Sequence, residues 1–481
     1  MRQIVLATAL AFGALAALSV ARPAADRDVY ERVAGAALAR GGAYEFLETL
    51  TDSIGPRLTG SDGSRAAADL LLKTLSTAGL ENVHAEEYPL LSRWRRGTAT
   101  ARVVSPTERT VLVQSFGWSP GTRGPVDADL IDAGSVVSDS GKVADASGKI
   151  VIADFPGDRK EPGYVTRART SRSLAAAGAR ALLIPSEKRD RLLDIGCFGN
   201  YPQAALPMLS VAREDASFLR RLLARGPVRL SLAMENSIDT APSAERNVIA
   251  EWRGTSLRDR VILVGGHFDS WDTATGANDD GSGIAAAVEI ARILQSLGIR
   301  GRRTIRFAFF SGEEQAILGS RAYVDAHLAE LDRIDAVVIM DEGAGVPRGF
   351  RLHGRTDLEA PLRRILRPLA PFDATGLSQD ASFDQDHAYF LVAGVPALTL
   401  WVHPGEYDTH HHAITDTIDK IDRRTLAIDT AVMATAALAL ADADSIGRRL
   451  TETERTELLR RTGLVESVMA LNEPIRSATR R

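Results

Sequence analysis

From residue 247 onward, short apolar runs and longer periodic segments take turns along the chain. "NVIAEW", "RVILVGGH", "TIRFAFF", "AVVIMD" and "ALTLWV" are apolar runs of strand length. Between them, "IAAAVEIARILQSL", "LGSRAYVDAHLAEL" and "APLRRILRPLA" space apolar residues by three and four, as one face of a helix does. This alternation predicts an α/β fold, a mainly parallel twisted sheet flanked by helices on both faces. Residues 424–445 predict a closing Ala-rich helix. The charged tail beyond it carries helical "TETERTELLRR" and has no assigned role.

Upstream the texture differs. Residues 28–80 predict helices, with Gly79 suited to a helix end and "GPRLTGSDGS" forming a turn-rich loop between two periodic stretches. From about residue 95, "ARVVSP", "RTVLVQSFG", "ADLIDAG" and "GKIVIADFPG" read as short strands punctuated by glycine and proline. "SRSLAAAGA" then reads as a helix and "RALLIPS" as a strand. Residues 96–240 therefore predict a β-rich insert, which divides a main domain into 22–95 and 241–445 and leaves 446–481 as a tail.

At 481 residues the chain is too long for one simple core. A net charge of -4 with scattered arginines offers no polybasic footprint, so nucleic acid is excluded as a partner. Met1-Arg2-Gln3, the apolar run from Ile4 to Val20 and the small-x-Ala site Ser19-Val20-Ala21 predict a signal peptide over 1–21. Export to the periplasm or medium follows, with no stable membrane association after cleavage. The alternative is an uncleaved anchor. Cys197 is the single cysteine, so no internal disulfide forms, and with no histidine beside it in sequence it reads as a packing residue.

Ligands of an α/β sheet collect outside the C-terminal strand ends, and four such ends carry metal-binding residue types. His267 ends "VILVGGH", with Asp269 two residues on, where a carboxylate can hold the second ring nitrogen of a ligating imidazole. The glycine-rich loop then presents Asn278, Asp279 and Asp280, which as a bland alternative cap the next helix. Glu313 and Glu314 follow "TIRFAFFSG"; neighbours in extended chain point to opposite faces, so one task for both is disfavoured. First-turn helix acids are the competing reading. Asp341 and Glu342 follow "AVVIM", and His410, His411 and His412 precede Asp416. Five of the nine histidines fall between 387 and 412, with Asp386 and His387 upstream.

Taken together, His, Asp, Glu, Asp and His at successive strand ends suit two Zn2+ ions bridged by one carboxylate. Such a pair polarises a carbonyl and acidifies a water. An uncoordinated carboxylate then serves as general base. Glu313 and Glu314 thus divide the work, one ligating and one moving protons.

"GGHFDSWD…GANDDGSG", "FFSGEEQAILGS", "AGVPAL", "HHHAITDTIDKID", "IGPRLTGS" and "RNVIAEWRG" resemble the co-catalytic di-zinc aminopeptidase family, in particular its carboxypeptidase Q (plasma glutamate carboxypeptidase) branch. Residues 96–240 are similar to the protease-associated domain of that branch. The resemblance covers about residues 28–445 and implies a zinc exopeptidase fold. It also implies His267 and Asp341 on one zinc, Asp279 bridging, Glu314 and His412 on the other, Glu313 as general base and Asp269 orienting His267. The chain departs from the family in reading Ile339-Met340-Asp341-Glu342 where Glu-Ser-Asp is usual, which leaves Glu342 as an alternative ligand. The histidine run holds one residue more than usual, which leaves His411. The implied activity is removal of N-terminal residues from short peptides or dipeptides; a homodimer is left open. The alternatives are a receptor-like binding protein on the same scaffold and a zinc glutaminyl cyclase or amidohydrolase.

Overall fold

The apolar runs after residue 242 all enter one eight-stranded sheet. In chain order its strands are β1 (Glu81–Leu90), β2 (Ser243–Trp252), β3 (Leu257–His267), β4 (Arg303–Phe310), β5 (Ile334–Ile339), β6 (Val346–Arg351), β7 (Gly376–Ser378) and β8 (Ala397–His403). The spatial order is β1-β2-β4-β3-β5-β8-β6-β7. The computed structural model of the chain describes residues 24–135, 146–155, 163–196, 200–403 and 405–479. The expected signal segment and Cys197 lie outside the described residues.

The four central strands, β4, β3, β5 and β8, are mutually parallel, so their C-terminal ends share one edge of the sheet. "NVIAEW" departs from the parallel expectation: β2 runs antiparallel to β4, as β6 does to β8. The edge strand β1, not foreseen in the sequence, pairs antiparallel with β2. Its side chains stay largely solvated, so no apolar run marks it.

Alternate residues of the central strands feed two cores. Ile262, Val264, Ile305, Phe307 and Phe309 pack under helix α1 (Ser282–Leu297) and helix α2 (Arg423–Asp442). Leu263, Ala308 and Phe310 face the other layer, which includes Tyr323, Phe390 and, from the tail, Leu458, Leu464 and Leu471. The tail left without a role is thus two helices, Glu452–Thr462 and Val465–Thr479, docked on that layer. The first helical region breaks at Gly41-Gly42, giving Ala24–Arg40, Ala43–Glu48 and a wide turn over Thr49–Ile54.

Residues 99–234 build a second eight-stranded sheet with its own buried residues, among them Val103, Leu130, Ile152, Leu183 and Leu209. Its middle strands Val126–Ser135, Ile150–Asp154, Ala181–Pro185 and Met208–Val211 are parallel. A two-stranded ribbon, Arg93–Arg95 with Ser237–Asp239, joins it to the main sheet. An aromatic cluster of Trp94, Trp118, Tyr201 and Trp271 packs between the two.

Candidate functional site

Because β3, β4, β5 and β8 end on one edge, His267, Glu313, Glu314, Asp341 and His412 converge although up to 145 positions separate them in the chain, from 267 to 412. His267, Asp269, Asp279, Glu313, Glu314, Asp341 and His412 are all buried. Gly266 precedes His267 for a steric reason: a Cβ there would lie 2.2 Å from Asp280 Oδ2. That carboxylate accepts the His267 N–H at 3.3 Å and fixes the strand end to the loop before α1.

The imidazole of His267 places Nε2 at 3.1 Å from Asp279 Oδ1 and 3.5 Å from Asp341 Oδ1. Its Nδ1 lies 3.0 Å from the Asp269 carbonyl and 3.5 Å from Asp269 Oδ1. The other half is complementary. His412 Nε2 is 3.0 Å from Glu314 Oε2 and 3.2 Å from Asp279 Oδ2. Asp279 therefore offers one oxygen to each half, and its backbone is held by Asp416, which accepts the N–H groups of Asn278 at 2.7 Å and Asp279 at 3.2 Å. Of the alternatives, Glu342 turns away to an ion pair with Arg351. His411 stacks on His412 with ring centroids 3.7 Å apart and reaches Asp279 Oδ2 only at 3.6 Å.

Glu313 and Glu314 form neither an extended pair nor a helix start. They occupy a single 3-10 turn, Glu313–Gln315, and the helix begins at Leu318, after Ala316 and Ile317 at positive φ. The turn still sends the two carboxylates apart. Glu314 approaches His412 off hydrogen-bond alignment, and neither of its oxygens has a hydrogen-bond partner among the described residues. Glu313 Oε1 is likewise unpartnered, and Glu313 lines the cleft. Its backbone N–H is tied at 3.3 Å to Asp269 Oδ1, while Thr59 donates to Asp269 Oδ2 at 2.7 Å. Asp269 thus braces both His267 and the glutamate turn.

Burial pushes the Glu314 carboxyl up to about 8, helped by Asp279, and the Asp341 carboxyl to about 7. Burial pulls His412 down, but Glu314 and Asp279 outweigh it and hold the imidazole at about 10. Buried carboxylates this crowded are costly to ionise without cations. The donor set and spacing fit a metal pair. Zinc bonds of about 2.0–2.1 Å at tetrahedral angles place ligand atoms roughly 3.3 Å apart, and the histidine-to-carboxylate separations in the two halves run from 3.0 to 3.5 Å. The residues thus suit two ions sharing Asp279. The groups His267–Asp279–Asp341 and Asp279–His411–His412 each gather donor atoms within 4.8 Å.

Sequence reasoning missed Arg57. Its buried guanidinium donates to the carbonyls of Phe268 at 2.6 Å, Thr275 at 2.6 Å, Gly276 at 2.9 Å and Gly55 at 3.1 Å, clamping both ends of the 268–276 loop. "IGPRLTGS" held the signal, an arginine among turn residues, but three of its four partners lie more than 200 positions away. A cleft of about 400 Å³ opens onto the site, lined also by Glu342, Arg351, Asp384, Gln385 and Tyr407. It meets a larger cleft of about 1370 Å³ whose other wall is the inserted sheet.

A convergence of histidines and carboxylates at the C-terminal edge of an α/β sheet defines a metal-dependent hydrolase. The profile of Peptidase family M28 matches residues 247–437. Carboxypeptidase Q of Rattus norvegicus is 30% identical over 409 residues, 84% of this chain and 86% of that protein. The crystal structure of a peptidase M28 precursor from Shewanella amazonensis superposes with a TM-score of 0.80 at 28% identity, covering 89% of this chain and 99% of that one. A zinc aminopeptidase from Bacillus subtilis gives a TM-score of 0.63 at 25% identity, covering 82% and 93%. The chain belongs to peptidase family M28. It is a metallo-exopeptidase hydrolase of the aminopeptidase and carboxypeptidase Q type.

Proposed function

We propose that the chain is an exported, two-zinc exopeptidase that hydrolyses the N-terminal peptide bond of short peptides or dipeptides. His267 and Asp341 would hold one ion, Glu314 and His412 the other, and Asp279 would bridge them. The observation that carries the reading is that single carboxylate, with Oδ1 at 3.1 Å from His267 and Oδ2 at 3.2 Å from His412. The metals supply Lewis acidity toward the scissile carbonyl and the attacking water.

The remaining work falls to the chain's own groups. Glu313, with an unpartnered Oε1 in the cleft, takes a proton from the attacking water and delivers it to the departing amine. Asp269 fixes the backbone of Glu313 and the ring of His267, so base and ligand keep one relative geometry. Asp384 on the cleft wall provides negative charge for the substrate's α-ammonium. The inserted sheet, read as a protease-associated domain, narrows the approach and restricts the site to short substrates.

The test is zinc content together with hydrolysis of a dipeptide panel and an N-terminal glutaminyl peptide, with and without chelator. Two zinc ions per chain and chelator-sensitive hydrolysis of the dipeptides are expected. Metal-free protein with chelator-insensitive cleavage overturns the reading, and cyclisation of the glutaminyl peptide in place of hydrolysis reassigns the site to a cyclase.

A further inference from the structure

His412 is supported in a way that His267 is not. His267 ends β3, which has parallel partners on both sides. His412 sits on a loop at a φ of 54°, a left-handed backbone that a non-glycine residue keeps only where its surroundings over-determine it. Those surroundings include loops of the inserted domain as well as main-domain residues such as Trp271 and His411. Gly196 backs onto the imidazole so closely that a Cβ there would lie 3.1 Å from Nδ1 and 3.5 Å from Cε1. Ile195 beside it is buried with Trp118 in the aromatic cluster, and its carbonyl accepts the Gly117 N–H at 3.4 Å. Trp271 meets the His412 ring in an edge arrangement at 5.8 Å and packs against Trp118 at 6.5 Å. Lys188 of the insert donates to the Asp408 carbonyl at 2.7 Å and holds the loop that leads to the histidines.

We propose that the inserted sheet is a structural part of the metal centre as well as a wall of the cleft. Through Gly196, Lys188 and the Trp118–Trp271 contact it sets His412 against Glu314 and Asp279, so this half-site is complete only while the insert is docked. The proposal rests on the two-metal reading above. The His267–Asp341 half, carried by the ends of β3 and β5, has no such dependence. Coupling of this kind is reciprocal: an ion at the His412 half tightens docking of the insert. Gly196, Lys188 and Trp118 act through His412 and are positioning residues.

The test is Gly196→Val in the full chain, read by zinc stoichiometry and by competition with a chromogenic chelator. Replacing a partner that orients a metal ligand weakens metal affinity by about 10–100-fold. One zinc affinity is expected to match wild type while the other falls by roughly that factor. Lys188→Ala should produce a smaller loss at the same ion. Unchanged affinities, or equal loss at both sites, overturn the proposal. Should Gly196→Val fail to fold, hydrogen exchange in the wild-type chain decides. Exchange in residues 113–119 and 186–196 should slow when the zinc ratio rises from one to two per chain, and unaltered exchange there overturns the proposal. A wild-type chain that binds fewer than two zinc ions overturns the two-metal reading and this inference with it. Two ions and an indifferent Gly196→Val overturn the inference alone.

Discussion

Stripping the metals should make stability fall as pH rises between about 6.5 and 8. In the metal-free fold, burial pushes Glu314 up to about 8; against the pull of burial, Glu314 and Asp279 raise His412 to about 10. The two groups are in contact and titrate as a pair, which keeps at least one proton through this window. In the unfolded chain a glutamate titrates near 4.3 and a histidine near 6.5, so both have released theirs. Burial likewise holds the Glu313 and Asp280 carboxyls well above the usual carboxylate range, so the folded state binds more protons than the unfolded state and stability falls as pH rises across this window. Asp341, raised by burial to about 7, adds to the same slope below neutrality. His411, lowered by burial to about 3, opposes it, but its contribution is complete once pH exceeds the unfolded value near 6.5. Metal ligands are deprotonated when loaded, so the zinc form lacks the extra protons. The assay is thermal unfolding of chelator-treated and zinc-loaded protein at several pH values, at constant ionic strength and scan rate. The metal-free Tm should fall by several degrees while the loaded Tm stays nearly level, so the gap widens with pH. A metal-free Tm that is flat or rising across the window refutes the reasoning.

The choice of ligand after β5 can be read from a pair of variants. Asp341→Asn should release or weaken one zinc, whereas Glu342→Gln, whose parent carboxylate faces Arg351, should keep both and alter KM. Arg57→Met leaves four carbonyls without their donor. It should destabilise the fold by roughly 3–5 kcal/mol, seen in chemical unfolding, with zinc affinity reduced because the 268–276 loop loses its clamp.

What could be read from the sequence was whatever depends on short-range pattern. His267, Asp341 and the Glu313-Glu314 pair stand where apolar runs stop, and parallel strands bring such stops to one edge. The backbone at Glu313-Glu314 was not legible: a 3-10 turn followed by positive φ at Ala316 and Ile317 is set by packing, so extended-chain logic gave divergent side chains for an incorrect reason. Arg57 and the bracing role of Asp416 were missed because most of their partners are main-chain groups far away in sequence, which leave no residue-type signature. The contact of Gly196 with His412 spans two sheets and involves no charged or periodic residue at the glycine. The tail carried a helical pattern, but only the structure gives its buried leucines a surface to pack on.

The division of labour between Glu313 and Glu314 is tested most directly by zinc content and dipeptide turnover measured on the same preparation of Glu313→Gln. The expected result is zinc retained at the wild-type level with turnover reduced by about 10²–10⁴-fold, against a Glu314→Gln control that loses metal. Full zinc and comparable activity in both variants contradicts the assignment.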